Sequence, residues 1–160
     1  MCSSDLLPNE RKEETHSEWL ARQNPASNQI RYSWPQRQVL VVEDTQTVLY
    51  YLRRILELSD VKCLTAVNGR EAVDICRTHR DIDLVLMDLQ MPVMNGYEAT
   101  SMIKKFRPEL PIVAQTAYAY ASEIDRALAD GCDSYLVKPL KKSDLLAKLA
   151  EFFGPSQATV

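Results

Sequence analysis

Four mostly apolar segments of this chain each end in side chains that can take part in polar chemistry. The segment Ile82–Met87, for example, is followed at once by Asp88 and then by a loop that contains Pro92. Short apolar runs bounded by a turn signal are typical of buried strands in a parallel sheet. Ligands of such sheets bind at the carboxyl ends of the strands, so we expect the side chains that follow the four segments to meet at one edge. In chain order these side chains are Glu43 and Asp44, Asp88, Thr116, and Lys138.

The types of these side chains favour phosphoryl transfer. Three carboxylates at one edge repel each other and need a cation, and a site with oxygen ligands alone suits Mg²⁺. Lys138 could bind an incoming phosphoryl oxygen, and the hydroxyl of Thr116 could donate a hydrogen bond to another. A carboxylate can itself be the nucleophile and form an acyl phosphate. Each of these residues alone is more often a helix cap or a loop charge, and only the joint pattern indicates a site.

Strand-like and helix-like patterns alternate from Gln38 onward, and this alternation predicts the fold. Parallel strands need crossover connections, so five such units predict an α/β domain, a single doubly wound five-stranded parallel sheet with five helices. The predicted strands lie at residues 39–42, 61–66, 82–87, 111–115 and 134–137. The predicted helices lie at about residues 45–58, after Asn68, at about 97–106, after Ser122, and at about 143–153.

Cap residues give the expected ends of two of these helices. Asn68 stands three residues before Glu71, and Ser122 stands three residues before Asp125. Both pairs have the spacing of a helix start, so we expect each first residue to cap a helix. Gly131 is expected to end the fourth helix in a left-handed conformation.

The composition indicates a globular protein without an electrostatic footprint for nucleic acid. The 160 residues are 46% hydrophobic and 26% charged, with a formal net charge of −3, so we expect no direct contact with nucleic acid. The sequence shows neither a secretory signal nor an apolar stretch that could span a membrane. We therefore expect a cytoplasmic chain without membrane contact of its own, although it could belong to a membrane-anchored sensor kinase. The four cysteines form no C-x-x-C pair, so we expect reduced thiols that pack as core residues.

The N-terminal part of the chain differs in texture from the rest. It is rich in Asn, Gln, Ser, Glu and Arg and shows no sustained hydrophobic period, which is typical of a linker or extension. A tail without function would look the same. Trp19, Tyr32 or Trp34 could anchor it against the domain. The predicted segments are the extension at residues 1–37, the domain at 38–154 and a C-terminal tail at 155–160.

At its polar strand ends the sequence strongly resembles the receiver domain of bacterial two-component response regulators. The resemblance covers about Val39 to Phe153 and implies a flavodoxin-like fold with strand order 2-1-3-4-5. It also implies a signalling switch that catalyses only its own phosphorylation and dephosphorylation. It rests, in chain order, on Val42-Glu43-Asp44, Met87-Asp88-Leu89-Gln90-Met91-Pro92, Gly96, Thr116-Ala117 and Lys138-Pro139.

The resemblance implies a phosphoacceptor and a metal site. Asp88 would take a phosphoryl group from a phosphohistidine on a histidine kinase or a histidine phosphotransfer domain. Mg²⁺ would be held by Asp44, Asp88 and the backbone carbonyl of Gln90. Glu43 would usually act on the ion through water.

The resemblance also implies a switch. Thr116 would hydrogen-bond the phosphoryl oxygens, Lys138 would pair with them, and the Lys138–Pro139 peptide bond would be cis. Tyr135 matches the aromatic residue that turns inward on activation, although it could equally be a half-buried strand tyrosine. Phosphorylation would shift an existing equilibrium toward the active state.

Two docking surfaces follow from the same resemblance. The phosphodonor would meet the first helix near Thr47–Tyr51, and a downstream protein would dock on the face made by the fourth helix, fifth strand and fifth helix. Gln90 and Tyr118 would flank the path of attacking water. The downstream face carries Tyr118, Tyr120, Tyr135, Lys141 and Lys142.

Three other functions fit these residues less well. A haloacid-dehalogenase-like phosphatase needs a second acid two residues after its aspartate nucleophile, and Gln90 stands there. Dinucleotide binding needs a glycine-rich turn after the first strand, and that turn is absent. A degenerate receiver acting as a phosphorylation-independent interaction module would usually lack an acidic residue, Thr or Lys at the strand ends, and this chain has them all.

The sequence is compatible with two kinds of protein, a hybrid sensor histidine kinase that contains this receiver and a free-standing regulator. The Asp88-Leu89-Gln90-Met91-Pro92 motif is similar to receivers fused behind hybrid sensor histidine kinases. The polar stretch before Gln38 and the six residues after Gly154 also favour that origin. Met1 favours a free-standing single-domain regulator.

Overall fold

The computed structural model describes residues 31–156, which form an α/β domain. Within these residues, five strands alternate with five helices, as the sequence predicts, with ends shifted by a residue or two. The strands are β1 (Gln38–Val42), β2 (Lys62–Ala66), β3 (Leu84–Asp88), β4 (Ile112–Thr116) and β5 (Ser134–Val137). The helices are α1 (Gln46–Leu58), α2 (Gly69–Thr78), α3 (Gly96–Phe106), α4 (Ala121–Ala129) and α5 (Lys142–Phe153).

All five strands pair in parallel, in the order β2-β1-β3-β4-β5. This confirms the doubly wound fold and the strand order that the resemblance implies. Helices α1 and α5 pack on one face of the sheet, and α2, α3 and α4 pack on the other. Strands β3 and β4 are buried along their whole length, which explains their nearly continuous apolar sequences. Because all five strands are parallel, their carboxyl ends lie at one edge of the sheet.

Helix caps match the predictions in two cases and differ in one. Asn68 Oδ1 accepts a 2.9 Å hydrogen bond from the N–H of Glu71, so the predicted start of α2 is confirmed. Gly131 follows α4 with φ +111°, which confirms the predicted left-handed end. The predicted capping role of Ser122 is wrong. The carbonyl of Tyr120 accepts the first backbone bonds of α4, so the helix starts at Ala121 and already contains Ser122.

Residues just before β1 pack on the body of the domain. Trp34 is buried, and its indole N–H donates to the carbonyl of Gly154 at 3.2 Å. Its ring also contacts the rings of Tyr32 and Phe153. Residues 1–30 and 157–160, with Trp19 among them, lie outside the described residues. The predicted segment boundaries stay predictions.

The expectations about membrane-spanning segments and about reduced cysteines can be compared with the described residues. No helix within residues 31–156 combines the length and apolarity needed to cross a bilayer. Cys63, Cys76 and Cys132 carry free thiols, and burial raises the pKa of each to about 11. These thiols therefore stay protonated and pack as small apolar groups.

Candidate functional site

The polar side chains predicted from the strand ends meet at the carboxyl edge of the sheet. Asp88 is the last residue of β3, and Thr116 is the last residue of β4. Glu43 follows β1 directly, and Lys138 follows β5 directly. Together with Asp44 and Gln90 they contribute to the walls of one cavity of about 180 Å³.

One ammonium group contacts two buried carboxylates in this cavity. Lys138 Nζ donates to Glu43 Oε1 at 2.9 Å and lies 3.3 Å from Asp88 Oδ1. The side chains of Glu43 and Asp88 are only 1% and 6% exposed, whereas that of Lys138 is 26% exposed. Two buried negative charges thus share one cation, which leaves negative charge in excess. This arrangement attracts a further cation.

Burial and mutual charge set the pKa values of these groups. Burial, together with the charge of Glu43, raises the pKa of Asp88 to about 6, although Lys138 acts in the opposite direction. Burial would also raise the pKa of Glu43, but hydrogen bonds from Lys138 and from the N–H of Thr45 hold it below its ordinary value. Burial opposes the charge of Lys138, yet the two carboxylates raise its pKa. Near neutral pH the site therefore holds an ion pair and a destabilised Asp88 carboxylate.

The loop after β3 holds Asp88 in place. Asp88 Oδ1 accepts a 3.2 Å hydrogen bond from the N–H of Gln90, two residues further along the chain. The N–H of Gly96 then donates to the carbonyl of Leu89 at 3.1 Å. A Cβ at Gly96 would lie 2.2 Å from the carbonyl oxygen of Asp88, so only glycine lets α3 start this close to the strand.

Thr116 and its neighbours form the other side of the site. Thr116 Oγ1 donates to the carbonyl of Tyr118 at 2.8 Å and accepts from its N–H at 3.1 Å. The rings of Tyr118 and Tyr120 stack, and both are exposed. Tyr135, the predicted switch residue, has 38% of its surface exposed and thus points outward in this conformation. The Lys138–Pro139 peptide bond is cis.

The donor set of the site fits Mg²⁺. Glu43, Asp44 and Asp88 each offer a carboxylate oxygen, and these three oxygens lie within 4.8 Å of one another. Asp44 is exposed, so a hydrated cation can approach from solvent. Hard oxygen ligands of this kind suit a small divalent cation that keeps part of its water shell. Gln90 lines the same cavity, and the role of its carbonyl as a ligand stays a prediction.

Tyr97 and Gln115 also line this cavity, and neither is among the site residues predicted from the sequence. The hydroxyl of Tyr97 donates to Glu123 of α4, and the guanidinium of Arg126 lies 3.9 Å from the centre of its ring. Tyr97 therefore links the cavity to α4. Gln115 is fully buried beside Asp88. A polar residue inside an otherwise apolar strand was the signal available in the sequence.

Comparisons with known proteins agree with this fold. The family model described as the response regulator receiver domain matches residues 39–150. Over 121 residues the chain is 32% identical to the polar-differentiation response regulator DivK of Brucella anthropi, which covers 74% of this chain and 97% of DivK. The chain belongs to the response regulator receiver domain family, and receiver domains are signalling modules of two-component systems.

A second relative is much longer than this chain. Over 112 residues the chain is 42% identical to the hybrid signal transduction histidine kinase G of Dictyostelium discoideum. The match covers 67% of this chain and 3% of that kinase, so the chain spans a small fraction of this relative's length.

Two solved structures are similar in both fold and sequence. A chain of the complex between the Saccharomyces cerevisiae histidine phosphotransfer protein Ypd1 and the receiver domain of Ssk1 has a TM-score of 0.71 and 32% identity, over 75% of this chain and 90% of that chain. The receiver domain of a sensor histidine kinase from Pseudomonas aeruginosa PAO1 has a TM-score of 0.69 and 30% identity, over 74% of this chain and 98% of that chain. A magnesium ion is coordinated in the active-site cleft of that second protein.

Proposed function

We propose that this chain is a phosphoacceptor receiver, in which Asp88 takes a phosphoryl group from a phosphohistidine on a histidine kinase or a histidine phosphotransfer domain. The observation that carries the proposal is the position of the Asp88 carboxylate. It ends a central strand in a cavity shared with two other carboxylates and lies 3.3 Å from the ammonium of Lys138. Phosphoryl transfer depends mainly on positioning and charge neutralisation, which this arrangement provides.

The reaction exchanges one bond to phosphorus for another. An oxygen of Asp88 forms a bond with phosphorus while the bond between phosphorus and the imidazole nitrogen of the donor breaks, and the electron pair leaves with the imidazole. With a pKa of about 6, Asp88 is mostly ionised above neutral pH and can act as the nucleophile. In the later hydrolysis, an oxygen of water forms a bond with phosphorus while the bond between phosphorus and the Asp88 oxygen breaks, so the Asp88 carboxylate is regenerated and inorganic phosphate is released. Gln90 and Tyr118 would flank the path of that water.

Glu43, Asp44 and Asp88 would hold Mg²⁺, together with the backbone carbonyl of Gln90, and Glu43 would act through water. When bound, the ion offsets the repulsion between the carboxylates and the phosphoryl oxygens. Lys138 supplies a second positive charge at Asp88, because its ammonium already contacts that carboxylate. The catalytic groups of the chain are thus Asp88 as nucleophile and Lys138 as phosphate-binding cation, with Thr116 as a hydrogen-bond donor.

Phosphorylation would change the partners of Thr116 and Lys138. At present the hydroxyl of Thr116 is held by the backbone of Tyr118, and Lys138 is held by Glu43 and Asp88. Phosphoryl oxygens would give Thr116 a charged acceptor in place of a backbone carbonyl, and they would give Lys138 a group of higher negative charge than a carboxylate. Both changes favour a second arrangement of the loops. Tyr135 lies in β5 close to Lys138, so its inward turn would transmit the change to the surface.

The partners would dock on two exposed surfaces. On α1, Tyr50 and Tyr51 are exposed and would meet the phosphodonor. The similar receiver that was crystallised with a histidine phosphotransfer protein supports a partner of that class. On the other side, the face formed by α4, β5 and α5 would bind a downstream protein. This face exposes Tyr118, Tyr120, Tyr135, Lys141 and Lys142.

We place this phosphorelay in the cytoplasm and leave two contexts for the chain. The 42% identity to a segment of a hybrid kinase supports a receiver that works within such a kinase. The match over 97% of DivK supports a free-standing regulator.

The proposal can be tested with beryllium fluoride, which mimics a phosphoryl group on aspartate. With Mg²⁺ present, the amide NMR signals of Thr116 and Lys138 should shift in the wild type and stay unchanged in Asp88→Asn. Asp74→Asn on α2 removes the same charge at an exposed position and should respond like the wild type. A folded wild type without any response would contradict the proposal and favour a phosphorylation-independent interaction module.

A further inference from the structure

Gln115 is a buried polar residue whose side-chain amide has no hydrogen-bond partner within the described residues. Its relative exposure is 0%, and neither Oε1 nor Nε2 makes a hydrogen bond there. A carboxamide carries two donor hydrogens and an acceptor oxygen, so leaving it unpaired in the interior destabilises this conformation. An apolar side chain of the same length would avoid that cost. The chain therefore carries at this position a group that its present conformation does not use.

The sheet places Gln115 directly beside the proposed phosphoacceptor. In the register, Gln115 pairs with Asp88 of β3 on one side and with Leu136 of β5 on the other. Paired residues of neighbouring parallel strands point to the same face, so Asp88 and Gln115 share one face of the sheet. Lys138 stands two residues after Leu136, and its ammonium contacts Asp88. Gln115 is thus the register partner of Asp88 and lines the same cavity as Lys138, and these are the two groups that would change most on phosphorylation.

Lys138 and Asp88, which line the same cavity as the amide, have other partners in this conformation. Lys138 donates to Glu43 and contacts Asp88, and Asp88 accepts from the N–H of Gln90. A phosphoryl group on Asp88 would draw the ammonium of Lys138 away from Glu43. An ammonium has three donor hydrogens, so Lys138 can bind the phosphoryl oxygens and still donate one hydrogen to a further acceptor in place of Glu43.

We propose that Gln115 is a positioning residue whose amide oxygen accepts a hydrogen bond from Lys138 in the phosphorylated state. This inference rests on the proposed function of Asp88. The amide is unpaired in one state and paired in the other, so it shifts the equilibrium between them toward the phosphorylated arrangement. Its effect on the reaction runs through the orientation of Lys138.

The test uses Gln115→Met, which keeps an unbranched side chain of similar length and removes both polar atoms. Two quantities are measured on the same protein. The first is the unfolding midpoint without Mg²⁺ or beryllium fluoride, which should rise by about 3 °C because an unpaired buried amide is gone. The second is the apparent dissociation constant for beryllium fluoride in the presence of Mg²⁺, which should rise about tenfold because a charged hydrogen bond is lost.

The two readouts separate the possible roles of Gln115. A lower unfolding midpoint would mean that the amide supports this conformation, and an unchanged dissociation constant would mean that it has no part in the switch. Either result overturns the inference. If beryllium fluoride binds the wild type and Gln115→Met equally well, the function of Asp88 stands and only Gln115 loses its role. If it does not bind the wild type at all, both proposals fail.

Thr100→Val provides the matched control. Thr100 is a fully buried polar residue of α3, and its hydroxyl contacts Cys132 rather than the cavity. Removing that hydroxyl should change the unfolding midpoint and leave the dissociation constant for beryllium fluoride at the wild-type value. A tenfold change in this control as well would show that any lost buried polar group weakens binding, and this would overturn the specific role of Gln115.

Discussion

Lys138 donates a 2.9 Å hydrogen bond to Oε1 of Glu43, although the two residues follow strands that do not neighbour each other in the sheet. Lys138 follows β5 and Glu43 follows β1, with β3 and β4 between them. Asp88, at the end of β3, lies 3.3 Å from the same ammonium. One cation thus stabilises two buried carboxylates, so the proposed chemistry of the site uses the same three groups that stabilise it.

Replacing Lys138 by Met should lower the free energy of unfolding by about 2 kcal/mol at neutral pH without Mg²⁺. Stability is lost because the buried charges of Glu43 and Asp88 no longer have a positive partner. The loss is smaller than for a fully buried ion pair because about a quarter of the Lys138 side chain is exposed. Urea denaturation measures it. As a control, Arg53→Gln breaks an exposed ion pair with Glu57 and should cost less than about 0.5 kcal/mol. Equal losses in both variants would contradict this account of the site.

The stability of the metal-free protein should fall as the pH rises through about 6. In the folded state the pKa of Asp88 is about 6, and in an unfolded chain the pKa of an aspartate is about 4. Between about pH 4 and pH 6 the folded state therefore binds more protons than the unfolded state. By linkage, this contribution is present at low pH and is lost as Asp88 ionises. Glu43, whose pKa is lowered, contributes in the opposite sense and at lower pH.

Asp88→Asn isolates the contribution of Asp88, because the amide does not titrate. Urea denaturation in a chelating buffer, from about pH 4.5 to 7.5, should show a flatter profile for the variant and a higher stability at the alkaline end. A profile that keeps the slope of the wild type would mean that Asp88 does not carry the raised pKa.

Mg²⁺ should raise the unfolding midpoint of the wild type, because a ligand that binds only the folded state stabilises it. Asp44→Asn should lose most of this response, since it removes the exposed carboxylate of the cluster. Without Mg²⁺ the variant should be at least as stable as the wild type, because it has less repulsion at the site. Asp74→Asn should keep the full response to Mg²⁺. Equal responses of the two variants would exclude Asp44 as a ligand.

The polar strand ends were predictable from the sequence because parallel topology brings all carboxyl ends of the strands to one edge. Glu43, Asp88, Thr116 and Lys138 each follow an apolar run, so their convergence depends on topology alone. The burial of Gln115 was not predictable in this way, because it depends on how closely the helices cover β4. The predicted cap of α4 at Ser122 was wrong because the side-chain pattern does not fix where the backbone hydrogen bonds of a helix begin. In α4 these bonds begin at the carbonyl of Tyr120.

Arg107 supports the fold away from the site. Its guanidinium is buried and donates to four backbone carbonyls between the end of α2 and the start of β3, at 3.0 to 3.4 Å. Arg107→Met should lower the free energy of unfolding by about 3 kcal/mol, because these carbonyls lose a charged donor. Arg107→Lys should recover little, since an ammonium cannot reproduce the planar fork.

Urea denaturation of both Arg107 variants, together with beryllium fluoride titration of the folded protein, provides the check. The response to beryllium fluoride should stay at the wild-type level, because Arg107 does not line the cavity. A stable Arg107→Met protein, or one that folds and no longer binds beryllium fluoride, would contradict this assignment.

The intact mass of the protein after incubation with Mg²⁺ and acetyl phosphate tests the central claim most directly. The wild type should gain the mass of one phosphoryl group and lose it on treatment with hydroxylamine, which cleaves acyl phosphates, and Asp88→Asn should gain none. A folded wild type that gains no phosphoryl group, or an Asp88→Asn variant that gains as much as the wild type, would contradict the assignment of Asp88 as the phosphoacceptor.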